Sequence, residues 1–354
     1  MAAKVKLGFV GAGYMGQLAH LANYAQLPDC ELVALAEGRP KLAELVATRY
    51  GVAKVYPDHK TMLKEADVEA VVAILPYSLH DAIIPDLLKA GKHVITEKPI
   101  CCRVANAKKI SKLAKKNGVI YHVGYMKRCD PASVRGKAMI AEWKKSGECG
   151  PLRYLRVTMP PGPWNLTAKC LSSGEPFPGY DGQKWEGLPD DMPEADAQLY
   201  NAFINYYIHQ INLIRYLLGE DYKVTYADPK GVTFTAMSDS GVVIVLEMAP
   251  YQCPDHWEET YKACFEKGWI QVDLPAPLQQ YSGSLACFRG AEKYKSSESR
   301  IYVNTEWAMF EQARMFVAEV RGEQPLISPS EDAVKDLEVA VQYVKALRAS
   351  QKAK

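Results

Sequence analysis

The chain has 354 residues, 48% hydrophobic and 24% charged, a globular composition with room for about two domains. Lysine and arginine total 43 against 41 acids, a net charge of +2, which gives no basis for nucleic acid or an anionic membrane as partner. No apolar run approaches the ~20 residues of a membrane span, the N-terminus enters a strand without a signal-peptide core, and nine scattered cysteines suit reduced thiols in a cytoplasmic protein.

Lys4 to Val10 reads as a strand, and Gly11-Ala12-Gly13-Tyr14-Met15-Gly16 follows it directly. A helical apolar pattern then runs from Tyr14 to Gln26. In this G-x-G-x-x-G setting Gly11 makes the tight turn, Gly13 lets the backbone approach a pyrophosphate, and Gly16 lets helix and strand pack closely. Tyr14 and Met15 open the helix whose N-terminus faces the phosphates. A second strand, Glu31 to Ala36, ends at Glu37, an acid placed to accept the ribose hydroxyls of an adenosine. Strand, glycines, helix, strand and acid in this order point to a dinucleotide. Glu37 favours NAD, because a carboxylate repels a 2′-phosphate; Arg39 and Lys41 leave NADP open, their alternative being a solvated helix start behind Pro40.

The alternation continues with a helix from Pro40 to Tyr50, an Asp58-capped helix, and a strand from Val68 to Leu75 followed by Pro76-Tyr77-Ser78-Leu79-His80. A helix to Ala90 precedes His93 to Pro99, a β-branched strand that stops in Glu97-Lys98-Pro99. Leu75, Pro76, Glu97 and Lys98 would then stand at carboxyl ends of strands, where open parallel sheets bind ligands. After the helix from Val104 to Asn117 and the strand from Val119 to Val123, the pattern changes at Gly124. A doubly wound parallel sheet over residues 1–124 and an α+β domain with a mostly antiparallel open sheet over 125–354 are expected.

In the second part a helix spans Ala132 to Lys145 and a strand Leu152 to Met159. Residues 160–196 are rich in Pro, Gly and aromatics (Trp164, Phe177, Tyr180, Trp185), which argues for a lid or an oligomer arm rather than a plain connection. Ala197 to Leu218 reads as one apolar helix with Asn201, Asn205, His209 and Asn212 at steps of four, four and three. Such a stripe is either ligand-facing, solvent-facing or satisfied within the core. Three amides beside the histidine favour the first, with amides for hydroxyls and aromatic faces such as Trp164 for the C–H side of a polyol. Strands follow at 224–227, 231–237, 241–248, 269–273 and 299–303, and helices at 307–321 and 330–350. Cys253 and His256 have ligand-like spacing but no second pair, so no metal is expected.

Gly8 to Gly16, Glu97-Lys98-Pro99 and Ile204 to Gly219 together resemble the glucose–fructose oxidoreductase / inositol dehydrogenase family, called Gfo/Idh/MocA, over nearly the whole chain. The resemblance implies an NAD(P)-dependent oxidoreductase acting on a secondary hydroxyl of a sugar, glycoside or cyclitol. It implies that Lys98 contacts that hydroxyl and that His209 serves as acid/base or relay. Asparagine stands at position 205 where the family carries aspartate, so a negative charge is missing there. Lys127, Arg128 and His80 are further contacts by resemblance; a surface cation pair and a helix-start histidine are the alternatives. The resemblance also implies a homodimer or homotetramer. A redox glycosidase using the same Lys98 and His209, and a non-enzymatic dinucleotide-binding regulator, are competing readings.

Overall fold

Alternating strands and helices assemble the first sheet of the computed structural model, which describes residues 3–164, 169–177, 189, 192–249, 256–291 and 295–353. Its strands are β1 (Val5–Val10), β2 (Cys30–Ala36), β3 (Lys54–Tyr56), β4 (Ala70–Ala73), β5 (His93–Glu97) and β6 (Tyr121–Gly124). They lie in the order β3-β2-β1-β4-β5-β6, every pair parallel. The crossovers are a π-helical stretch Gly16–Leu21 running into α1 (Ala22–Tyr24), then α2 (Pro40–Tyr50), α3 (His59–Glu65), α4 (His80–Lys89) and α5 (Val104–Lys116). The chain continues with α6 (Pro131–Ser146), β7 (Leu152–Thr158), α7 (Glu194–Tyr206), α8 (Ile208–Leu218), β8 (Tyr222–Ala227), β9 (Thr233–Ser238), β10 (Val243–Glu247), β11 (Thr260–Phe265), β12 (Gly268–Asp273), β13 (Ser284–Arg289), β14 (Ser297–Ile301), α9 (Ala308–Val320) and α10 (Ser330–Lys352).

Two compact units result, and both are discontinuous in sequence. One comprises Met1–Tyr125, Thr167–Asn205 and Met309–Leu337; the other comprises Met126–Leu166, Tyr206–Ala308 and Glu338–Lys354. In the first, Leu7 and Phe9 of β1, Leu32 and Leu35 of β2, Val72 and Ile95 share one buried cluster with Ala313, Phe316 and Val317 of α9. Burial on both sheet faces explains the unbroken apolar runs of these strands. The His122 ring bonds the Glu319 carboxylate at 2.8 Å, and the Ser328 hydroxyl donates to the Val123 carbonyl at 2.6 Å. In the second unit the sheet order is β14-β13-β12-β11-β7-β10-β9-β8. Its pairs are antiparallel except β7 with β10.

The local signals mostly hold. Pro40 opens α2 and Gly51 closes it at φ 71°. Asp58 caps α3 by accepting from the Thr61 N–H at 2.8 Å. The expected single helix from Ala197 to Leu218 is corrected: it breaks at Tyr207 into α7 and α8. The first helix is corrected too, since its first turns wind as a π-helix. Three strands were unread. β3 is only three residues long, and β11 and β13 alternate through Ala263 and Cys287, which serve as small inward apolar residues.

Candidate active site

In the first unit the sheet order reverses between β1 and β4, and the loops after them form the crevice in which such sheets bind ligands. Gly11 turns there with φ 89°, and a Cβ on it would lie 2.4 Å from the Ile74 carbonyl oxygen. Only glycine permits this approach of the two loops. The Leu75 side chain lies 3.1 Å from the same point, and Pro76 leads into the short 3-10 turn Tyr77–Leu79. Gly16 is tight as well: a Cβ on it would lie 3.1 Å from the Gly11 carbonyl oxygen. Gly13 has nothing within 4 Å of its missing Cβ, so its backbone face is open. A pyrophosphate fits at that face, and the set of residues suits a dinucleotide. Tyr14 and Met15 sit half-buried behind it, Met15 packing on the core.

The Glu37 carboxylate at the end of β2 is already fully engaged. Its Oε2 accepts from the Ala12 N–H at 2.9 Å and from the Arg39 guanidinium at 2.9 Å. Oε1 accepts from Arg39 Nε at 2.7 Å and from the Arg39 N–H at 3.1 Å. The acid and the base that pointed to NAD and to NADP therefore form one bidentate pair.

At the carboxyl end of β5, the Lys98 ammonium donates to the main-chain carbonyl of Asn205 at 2.8 Å. Asn205 lies in the last turn of α7, where carbonyls lack intrahelical partners and a cation is favoured. The break at Tyr207 thus supplies the acceptor. The contact is made by the backbone, so it does not depend on the side chain at 205, which is exposed. His80 is buried at the start of α4, and its Nδ1–H donates to the Ile100 carbonyl at 3.0 Å, holding the segment after Lys98. Burial pushes its pKa down, keeping the ring neutral.

Sequence reading missed His20. Its ring is buried on the π-helical stretch and bonds the Glu97 carboxylate at 2.8 Å, tying the glycine-loop helix to the turn that carries Lys98. Burial alone would raise the Glu97 carboxyl, but the His20 hydrogen bond and charge, with those of Lys98, outweigh it and hold the group below its ordinary value. A signal existed: Gln17, His20 and Asn23 are polar residues at steps of three on a helix that must be buried against the sheet, and all three are buried.

The polar stripe does not survive as one ligand-facing row. Asn201 Oδ1 accepts from the Tyr77 hydroxyl at 2.7 Å. Asn212 is buried in the second unit, and its Oδ1 accepts from Arg128 Nε at 2.6 Å, so two residues expected to touch substrate bond each other. His209 lies half-buried in the first turn of α8. Lys127 is buried rather than a surface cation. It donates to the Glu259 carboxylate at 2.6 Å, which also accepts from Gln210 Nε2 and the Tyr261 hydroxyl at 2.8 Å each. Burial lowers the Lys127 pKa and the Glu259 charge opposes that. Trp164 is exposed. Tyr180, Trp185 and Cys253 lie outside the described residues. Among the described residues no cluster of His, Cys, Asp and Glu could hold a metal, and no helix is long and apolar enough to cross a membrane.

Residues 5–125 match the model of an oxidoreductase family with an NAD-binding Rossmann fold, GFO_IDH_MocA. The chain is similar to the myo-inositol 2-dehydrogenase of Thermotoga maritima, 25% identical over 63% of this chain and 58% of that protein. It is also similar to the scyllo-inositol 2-dehydrogenase (NAD(+)) of Bacillus subtilis, 28% identical over 62% of this chain and 55% of that one. The chain thus spans less than two thirds of either relative. Among solved structures, the aldose-aldose oxidoreductase of Caulobacter crescentus, complexed with glycerol, superposes with a TM-score of 0.72 at 20% identity, covering 98% of each chain. At that identity the likeness concerns the fold.

Proposed function

We propose that this chain, whose residues 5–125 match the NAD-binding Rossmann model of the GFO_IDH_MocA oxidoreductase family, oxidises or reduces a secondary hydroxyl of a cyclitol or sugar. The observation that carries the reading is the seating of Lys98: a cation at the carboxyl end of β5, on the ligand-binding edge of the sheet, held by the last turn of α7. The inositol dehydrogenases among the relatives support the substrate class. The hydrolytic alternative draws no support from them.

Bound NAD supplies the hydride acceptor or donor. Gly11, Gly13 and Gly16 make the close approach for its pyrophosphate, with Tyr14, Met15, Leu75 and Pro76 around the turn, and the Glu37–Arg39 pair meets the adenosine ribose. In this reading Lys98 binds and orients the substrate hydroxyl, and Glu97, fixed by His20, sets the lysine's backbone. His209 takes the hydroxyl proton or returns it, as a positioned imidazole acid/base does. Asn205, Asn201 and Trp164 bind further substrate groups, whereas Lys127, Arg128 and Asn212 shape the substrate half through their own buried bonds. Tyr226, Met237 and Val243, exposed on one face of β8, β9 and β10, suit a homo-oligomer contact through the sheet.

The test is NAD reduction by a panel of inositols, aldoses and glycosides. Lys98→Ala is expected to lower kcat about 100-fold or more with NAD affinity retained. Unchanged turnover in that variant would sink the assignment.

A further inference from the structure

Residues 169–177 lie far along the chain from the glycine motif yet belong to the same compact unit. They are fastened to it at three points. Gln17, on the helix that follows the glycines, makes a reciprocal pair with Leu171: the Leu171 N–H donates to Gln17 Oε1 at 2.8 Å, and Gln17 Nε2 donates to the Leu171 carbonyl at 3.0 Å. The same Nε2 reaches the Ala12 carbonyl at 2.8 Å. The Glu175 carboxylate accepts from the main-chain N–H of Lys41 at 3.3 Å and of Leu42 at 3.0 Å, two of the unpaired donors in the first turn of α2. The Ser173 hydroxyl holds that carboxylate at 2.6 Å. The Phe177 ring lies 5.6 Å from the Arg39 guanidinium.

Adenine dinucleotides differ by one 2′-phosphate, which must be met just beyond the acid that ends β2. The donors suited to it there are the Arg39 guanidinium and the main-chain N–H groups that open α2. Both are occupied by carboxylates, Arg39 by Glu37 and the α2 N-terminus by Glu175. We propose that segment 169–177 is a strap that selects NAD over NADP, with Glu175 as the specificity-determining residue. Glu175 takes the donors that a 2′-phosphate needs, and its charge adds to that of Glu37 against a phosphate dianion. Leu171 and Phe177 hold the strap in register. This deepens the dinucleotide reading above and rests on it.

The experiment titrates the full chain with 5′-AMP, 2′,5′-ADP, NAD and NADP, in wild type, Glu175→Gln and Glu175→Ala. Wild type is expected to favour 5′-AMP over 2′,5′-ADP and NAD over NADP. Each variant is expected to strengthen 2′,5′-ADP and NADP by about tenfold or more, a change of about 1.4 kcal/mol, while 5′-AMP shifts little. If the Glu175 variants fail to fold, Ser173→Ala, which frees one anchor of the carboxylate, is expected to shift the ratio in the same direction. Normal NAD binding with an unchanged NADP-to-NAD ratio in the variants would overturn the strap and leave the dinucleotide reading standing. Failure of wild type to bind either 5′-AMP or NAD would overturn both.

Discussion

Lys127 and Asp130 stand three residues apart, and burial drives both toward their neutral forms. Asp130 caps α6 through the Ala132 N–H at 2.8 Å and accepts from the Gly283 N–H at 2.9 Å. Burial nevertheless pushes its carboxyl up from 3.8 to about 6, the backbone donors only partly opposing it. A folded-state pKa above the unfolded one means the native state binds the extra proton. Stability from this group is therefore complete below about pH 4 and falls as pH rises toward about 6. Asp130→Asn is expected to remove that slope, worth roughly 1–3 kcal/mol, seen by comparing urea unfolding of both forms at pH 4.5 and pH 7. Burial lowers the Lys127 pKa, and the Glu259 carboxylate opposes that. Lys127→Met would leave that carboxylate buried on Gln210 and Tyr261 alone, at an expected cost of about 3–5 kcal/mol in urea unfolding. Residue identity alone did not reveal this pairing. Lys127 sits beside Arg128 in sequence, and only folding directs one to Glu259 and the other to Asn212.

At the scale of elements, the glycine turn separates folding from binding. Gly11→Ala places a methyl against the Ile74 carbonyl at a backbone angle that L residues avoid. It is expected to lose about 1–3 kcal/mol of stability together with NAD binding. Gly13→Ala meets nothing. It should leave the melting temperature unchanged and weaken NAD about tenfold or more, measured by calorimetry; equal losses of stability in the two variants would refute the distinction. The break between α7 and α8 was not legible, because Tyr206-Tyr207-Ile208 contains neither proline nor glycine. The break falls where the chain passes from one compact unit to the other, at Asn205 and Tyr206. By contrast α2, α3 and the strands of the first sheet were legible, because their stops are glycines, caps and continuous apolar runs that act locally.

At the scale of the whole molecule, neither unit is one stretch of chain. α9 inserts Ala313, Phe316 and Val317 into the core built on β1 and β2, and Glu319 takes the buried His122. A fragment ending at residue 125 would expose that cluster and orphan the His122 ring. It is expected to lack the cooperative thermal transition of the full chain; a fragment that melts cooperatively with native-like circular dichroism would contradict this. The sequence by itself determined the parallel sheet, the dinucleotide turn, the acid after β2 and the lysine at the end of β5, because each rests on short-range steric and hydrogen-bonding rules within a few residues. Only the tertiary structure decided that Glu37 is paired with Arg39, that Lys98 rests on the Asn205 carbonyl, that His20 holds Glu97, and that Glu175 closes the start of α2. Those are contacts between segments distant in sequence or choices among equivalent neighbours, and burial and charge select them only once the chain has folded.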